Sequence, residues 1–356
     1  MSVRMEPNGT WTAQVWYRDY NGDSRHKTKR GFKLEEEARA WEDEFSSDAE
    51  GSVDSTFAAF YEVYEADMRP RLREHTWYTK SYMIEGKILP YFGNMRVNEI
   101  EPIDVVRWQN RLMAYRNEKG EPYAPTYLRS VNNQLSAIFN HAVRYYGLKS
   151  NPCAKTTRMG SSKGGEMLFW TKDEYLRFAD AVADKPDSFC AFEVLYWCGL
   201  RVGELLALTP DDIDFARAVV FVNKSYQRIK GRDVVTDPKT PKSVRTVAMP
   251  GFLADELADW LQGHPVAHDG RMFPFTKDRM HHEMTRGCKA AGVKRIRIHD
   301  LRHSHVSLLI DMGYSAVAIA DRLGHESTDI TFRYAHPFPD RQGEIARALD
   351  ATKAGI

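Results

Sequence analysis

The sequence predicts a multidomain, mainly α chain: a small β-sheet-plus-helix N-terminal module, a helical bundle, and a larger mixed-α domain with a small antiparallel sheet. Three observations carry this. The 356 residues exceed one ordinary domain of roughly 100–200 residues. A hydrophobic share of 42% beside 28% charged residues is enough to bury several separate cores. The apolar period changes along the chain, from strand-like alternation in the first 34 residues to three- and four-residue steps from Phe57 onward.

The first module follows from its turn chemistry. Trp11–Tyr20 is rich in β-formers, Asn21-Gly22 is a hairpin signal, and His26–Phe32 returns. Leu34–Phe45 then reads as a helix whose Glu35, Glu36 and Glu37 suit the positive end of its dipole. Arg18, Lys27, Lys29 and Arg30 make the sheet basic, and a two-stranded ribbon fits a DNA major groove. A stabilising subdomain without a partner explains the same pattern.

Ser46–Ser55, acidic and rich in small residues, reads as a linker. Phe57, Tyr61, Tyr64 and Met68 begin a helix, Trp77–Leu89 forms a second that Pro90 should stop, and Ile103–Tyr115 a third. The fourth, Thr126–Tyr146, buries Leu128, Leu135, Ile138, Phe139 and Val143 and turns Arg129, Asn132, Asn133 and Gln134 outward, where they suit a DNA backbone or base edge. A solvated polar face accounts for them almost as well. Asn151-Pro152 closes the bundle, and Met159–Gly165 has linker composition.

In the last domain Thr171–Ala183 and Ser188–Trp197 read as helices, and Gly199 interrupts before a short helix at Val202–Leu208. Val219–Asn223 and Val244–Met249 alternate as strands. Helices return at Phe252–Leu261, Asp278–Ala291, His299–Met312 and Ser315–Leu323.

Composition excludes several classes. No apolar run approaches the ~20 residues of a membrane span, and the N-terminal residues lack the apolar stretch of a secretory signal. Cys153, Cys190, Cys198 and Cys288 have no C-x-x-C spacing, against a zinc module or disulfide scaffold. A cytoplasmic protein without a membrane partner is expected. The net charge of +1 hides segregation: residues 1–34 hold seven basic side chains to three acidic, and 220–250 seven to two. Such blocks can present positive faces to phosphate.

Four pieces of the last domain belong together chemically. Cys198-Gly-Leu-Arg-Val-Gly-Glu204 sets Arg201 at a glycine-marked turn, with Glu204 three residues on to orient the guanidinium. Asp237-Pro-Lys-Thr-Pro241 sets Lys239 between two prolines, with Lys242 beside it. His299 and Arg302 lie one helical turn apart. Leu323-Gly-His325 ends a helix nine residues before Tyr334. Two arginines, a lysine, two histidines and a phenol suit a phosphodiester: guanidinium forks bind non-bridging oxygens and stabilise growing charge. A phenol, with pKa about 10, needs cationic neighbours to act as a nucleophile at neutral pH.

The order Arg201, Lys239, His299-x-x-Arg302, His325, Tyr334 resembles the tyrosine recombinases, especially integrases of phages and conjugative transposons. Residues 57–150, with Ile88-Leu-Pro-Tyr-Phe-Gly93, resemble that family's helical core-binding domain, and residues 1–45 its arm-binding module. The resemblance implies an arm-type DNA-binding domain at 1–52, a core-binding domain at 53–152, a linker at 153–165 and a catalytic domain at 166–356. It implies that Tyr334 attacks the scissile phosphate to give a 3′-phosphotyrosyl link and a free 5′-hydroxyl. Arg201 and Arg302 clamp the phosphate, His325 donates to it, Lys239 protonates the leaving oxygen and His299 assists proton transfer. No cofactor or metal is implied. Partners are double-stranded DNA at core and arm sites, a homotetramer on that DNA, an excisionase and a DNA-bending host factor. The C-terminal helical steps of Ile345, Ala348 and Leu349 suit docking on a neighbouring protomer or packing at home.

Three rivals compete. His299 and His303 stand at i and i+4 like a zinc-binding pair, but Arg302 shares their face and repels a cation. A non-cleaving, architectural DNA-binding protein would have lost the nucleophile or an arginine. A type IB topoisomerase-like enzyme shares much of the site but relaxes DNA without exchanging partners.

Overall fold

A computed structural model describes residues 2–18, 24–49, 53–162, 167–238, 240–264, 266–324 and 342–354. It divides into two compact units, Met1–Gly165 and Glu166–Ile356.

The first unit begins with an antiparallel sheet of β1 (Val3–Met5), β2 (Trp11–Arg18) and β3 (Ser24–Phe32), in that order, followed by α1 (Glu35–Ala49). The helix continues past Ser46, where a linker is expected from composition. The Asn21-Gly22 turn lies outside the described residues; the strands flanking it pair Arg18 with Ser24. Alternation puts Val3, Ala13 and Ala38 in a small core with Trp11, Phe32 and Trp41 around it. Side chains of β2 and β3 that share the face of Ala13 turn toward α1, and those that share the face of Gln14 lie on the open side.

The helical part has α2 (Phe57–Met68), α3 (Glu74–Met83), α4 (Leu89–Phe92), α5 (Pro102–Ala114) and α6 (Pro125–Tyr145). Phe57, Tyr64, Trp108, Leu135 and Phe139 are among the residues of its core. Pro90 does not stop the second helix as expected. Residues 84–88 widen to a π-helical turn in which the Leu89 amide bonds to the Ile84 carbonyl, and Pro90 enters the first turn of α4, where a missing N–H costs nothing. The stretch 153–162, most of the expected 153–165 linker, carries Cys153 and Met159 into the same core, and the Ser161 amide bonds to the Pro125 carbonyl.

In the second unit, α7 (Lys172–Val182) starts on a Thr171–Glu174 capping box and α8 (Pro186–Trp197) leads to the Gly199 turn and α9 (Val202–Leu205). Strands β4 (Ile213–Asp214), β5 (Val219–Val222) and β8 (Arg245–Ala248) form one antiparallel sheet. A hairpin of β6 (Ser225–Ile229) and β7 (Arg232–Thr236) stands apart from it. Sequence reading missed this hairpin; its two-residue turn is Lys230-Gly231, both with positive φ (49° and 79°). Helices α10 (Gly251–Gly263), α11 (Lys277–Ala291), α12 (Ile298–Asp311), α13 (Ala316–Leu323) and α14 (Gln342–Ala354) complete the unit. The core gathers Tyr175, Phe192, Tyr196, Leu205, Val220, Leu253 and Leu301 from six of these elements, with Trp170 from the segment before α7. No helix among the described residues is long and apolar enough to cross a membrane.

Candidate active site

Arg302 is the hub of the site. It lies on α12 with 2% of its surface exposed, and it donates Nη1 to the Gly199 carbonyl at 2.8 Å and Nη2 to the Leu323 carbonyl at 2.6 Å. One guanidinium therefore joins the turn that ends in Arg201 to the last turn of α13, two residues before His325. A buried guanidinium needs such acceptors, because an unpaired charge in that position costs several kcal/mol.

Arg201 is the N-cap of α9 and keeps 37% of its side chain exposed. Its amide donates to Glu204 Oε2 at 2.9 Å and its Nη1 to Glu204 Oε1 at 2.7 Å. Glu204 thus touches both the backbone and the guanidinium of Arg201. Glu204 holds a second guanidinium as well: Arg245 of β8 donates Nη1 to Oε1 at 3.1 Å and Nη2 to Oε2 at 2.9 Å. Burial alone would raise the Glu204 carboxyl; the hydrogen bonds and charge of Arg245, with the charge of Arg201, overcome it and bring the pKa down to about 2.

His299, at the start of α12, opens to solvent on one side. Desolvation of the ring, then the charges of Arg302 and Arg201, hold its pKa below the usual imidazole value. That influence brings His299 into one electrostatic neighbourhood with both arginines. Behind it, burial first and then His299 push His303 down to about 4. His305 is pushed down to about 3, by burial and then by Arg322 and Arg302; its Nε2 accepts from Arg322 Nε at 3.1 Å.

Chains of this kind recur among known proteins. Residues 169–341 match the phage integrase family, residues 56–113 the phage integrase N-terminal SAM-like domain, and residues 1–49 an arm DNA-binding domain. The ICEBs1 integrase of Bacillus subtilis (strain 168) is 31% identical over 98% of this chain and 99% of its own length. The chain belongs to the phage integrase family of tyrosine recombinases. It is a site-specific recombinase. A putative prophage phiRv2 integrase of Mycobacterium tuberculosis is 28% identical over 98% of this chain and 94% of its own. The fold is shared with a Tn1549 transposon integrase solved with circular intermediate DNA, at TM-score 0.65 and 19% identity over 83% of this chain and 99% of that one. It is shared too with a lambda integrase dimer on a COC′ core site, at TM-score 0.60 and 18% identity over 96% and 95% of the two chains.

Of the residues expected to act in this recombinase, Arg201, Glu204, His299 and Arg302 converge as described. Lys239, His325 and Tyr334 lie outside the described residues. Gly324, just before His325, adopts φ +65°, and a Cβ there would lie 2.5 Å from the Lys242 carbonyl. The backbone at Lys242 therefore abuts the end of α13, while its side chain is exposed.

The other residues expected to contact DNA lie in differing surroundings. Asn132 is 1% exposed and accepts from Gln109 Nε2 at 2.8 Å, so it is a core amide and not a base reader. Asn133 is exposed and Arg129 half-buried. In the N-terminal module Lys27 pairs with Val15 and Lys29 with Ala13, which puts both on the helix side of the sheet. Lys29 Nζ sits 5.2 Å from the Phe32 ring centroid and 5.6 Å from that of Trp41. Arg30 pairs with Thr12 on the open side, where the Trp16 and His26 rings lie 4.8 Å apart and tilted by 40°. The backbone of Arg18 pairs with Ser24 at the end of the strands. Sequence reading missed Arg245 and Arg322. Nothing in their spacing marks them, since Arg245 meets Glu204 across 41 residues and Arg322 meets the Trp197 carbonyl across 125.

Proposed function

We propose that this recombinase cuts and rejoins double-stranded DNA through a 3′-phosphotyrosyl intermediate, to integrate or excise a mobile element. The observation that carries this reading is the pair of carbonyl bonds made by Arg302, which ties the Arg201 turn to the chain entering His325.

In this reading Arg201 and Arg302 take the non-bridging oxygens of the scissile phosphate, and His325 donates a further hydrogen bond. Tyr334 attacks phosphorus: its oxygen forms the new P–O bond while the bond to the 5′-oxygen breaks, and Lys239 supplies the proton that the leaving oxygen needs. His299, held neutral by its surroundings, accepts the phenol proton. A 5′-hydroxyl from a partner strand reverses the step. One phosphodiester replaces another, so no external energy source enters.

Residues 1–52 would bind arm sites, 53–152 core sites and 166–356 would carry the chemistry. The open face of the N-terminal sheet, with Arg30, Trp16 and His26, is the surface suited to a groove. The lambda integrase solved as a tetramer on a Holliday junction supports four protomers acting together. An excisionase and a DNA-bending host factor complete the partners proposed.

A nicked suicide duplex carrying the end of the element that encodes the chain tests this. Wild type should accumulate a covalent protein–DNA adduct, and Tyr334→Phe should bind the duplex and form none. An adduct formed by Tyr334→Phe refutes the nucleophile.

A further inference from the structure

We infer that Arg245 is a positioning residue for the reaction: it offsets the charge of Glu204, so that the carboxylate can orient Arg201 without cancelling its attraction for phosphate. The inference rests on the chemistry proposed above.

Glu204 is 5% exposed and Arg245 6% exposed, whereas 37% of Arg201 reaches solvent. A lone buried carboxylate in contact with Arg201 would neutralise the group meant to meet an anion. With Arg245 present, two guanidiniums share one carboxylate and the cluster keeps one net positive charge, displayed through the exposed partner. The inner guanidinium lies too deep to meet DNA itself.

Arg245 also links the pieces of the site mechanically. Its Nε donates to the Arg322 carbonyl at 3.1 Å and its Nη1 to the Ser243 carbonyl at 3.1 Å. Its stem lies 3.0 Å from where a Cβ on Gly324 would stand. One side chain thus touches α9 beside Arg201, the segment that follows Lys239, and the chain just before His325. Displacements of about 1 Å at a reacting centre cost on the order of 100-fold in rate.

The test uses the full chain and the same suicide duplex, reading single-turnover adduct formation at saturating DNA and duplex affinity by gel shift. Arg245→Met keeps the stem and loses the charge and fork; it should slow capture about 100-fold while affinity stays within about threefold. Arg245→Lys restores the charge without the fork and should recover about tenfold of that loss. The inference is overturned if Arg245→Met captures DNA at the wild-type rate, or if a folded Arg245→Lys is as slow as a folded Arg245→Met. Should Arg245→Met fail to fold, the double variant Glu204→Gln with Arg245→Met removes the uncompensated charge as well. It should fold and capture DNA slowly; a double variant that is still unfolded overturns the charge-balance argument. Absence of an adduct with wild type is a different outcome, and it removes the phosphotyrosyl reading itself.

Discussion

A Cβ on Gly199 would stand 2.6 Å from the His305 ring, closer than real Cβ contacts come. Gly199 also has φ +63° and offers its carbonyl to Arg302. Glycine at this point is what lets the chain pass close enough to α12 for that bond to form, two residues before Arg201.

Gly199→Ala should therefore be costly. A left-handed backbone alone costs roughly 1–2 kcal/mol for an L-residue, and the overlap with His305 and Leu323 adds to it. A thermal melt of the variant should fall by at least about 4 °C, with adduct formation lost in parallel. An unchanged melting temperature would show that the turn relaxes freely.

Arg302→Lys keeps one charge and loses the fork that spans two carbonyls. Since Nη1 and Nη2 serve separate acceptors, a single ammonium cannot hold both. Cleavage should fall by about 10²–10³, more than non-specific duplex binding does. Wild-type cleavage in this variant would remove Arg302 from the centre of the site.

Acid should destabilise the second unit well above the carboxylate range. His303 and His305 are depressed to about 4 and about 3 in the folded chain. Unfolded, they titrate near 6.5, so below that pH the unfolded state binds more protons and stability falls. Each contributes on the order of 1.4 kcal/mol per pH unit between about 6.5 and its folded pKa. Glu204 adds to the loss below about 4.5, as its folded pKa lies under its unfolded one. Melts recorded from pH 7.5 to 5 should show a progressive drop; a flat profile would mean that the two imidazoles protonate without unfolding.

Neighbouring asparagines of α6 should separate stability from DNA contact. Asn132→Ala strips Gln109 of one of its two acceptors, Asn132 and the Thr157 carbonyl. It should cost about 1–3 kcal/mol of stability. Asn133→Ala should leave stability within about 0.5 kcal/mol, with any effect read in core-site affinity. Equal melts for the two variants would contradict the burial of Asn132.

The two faces of the N-terminal sheet make a similar contrast. Arg30→Ala should weaken arm-duplex binding and reduce the salt slope by about one. Lys29→Ala should chiefly cost stability, by roughly 0.5–1 kcal/mol from its aromatic contacts. Should Lys29→Ala alone change the salt slope, the helix side meets DNA instead.

Much was legible beforehand where the signal is local. Period and caps located α5, α6, α7 and α12 to within about two residues, and the set of Arg201, Lys239, His299, Arg302, His325 and Tyr334 pointed to phosphate chemistry. Pro90 misled because a π turn absorbed it, and the hairpin around Lys230 escaped because lysine rarely takes positive φ. Asn132 looked like a surface reader since helical spacing alone cannot tell which polar residue finds a buried partner on another helix.

By itself, the sequence determined most of the helices and the family to which the chain belongs, because periodicity and capping act over short separations and motif order survives along the chain. Which guanidinium reaches solvent and which stays behind it was decided only by tertiary structure. Arg201 and Arg245 are 44 residues apart and share one carboxylate, and their contrast in exposure arises from where α9 and β8 meet. Burial and long-range hydrogen bonding set that difference, and neither is written in the spacing of residues along the chain.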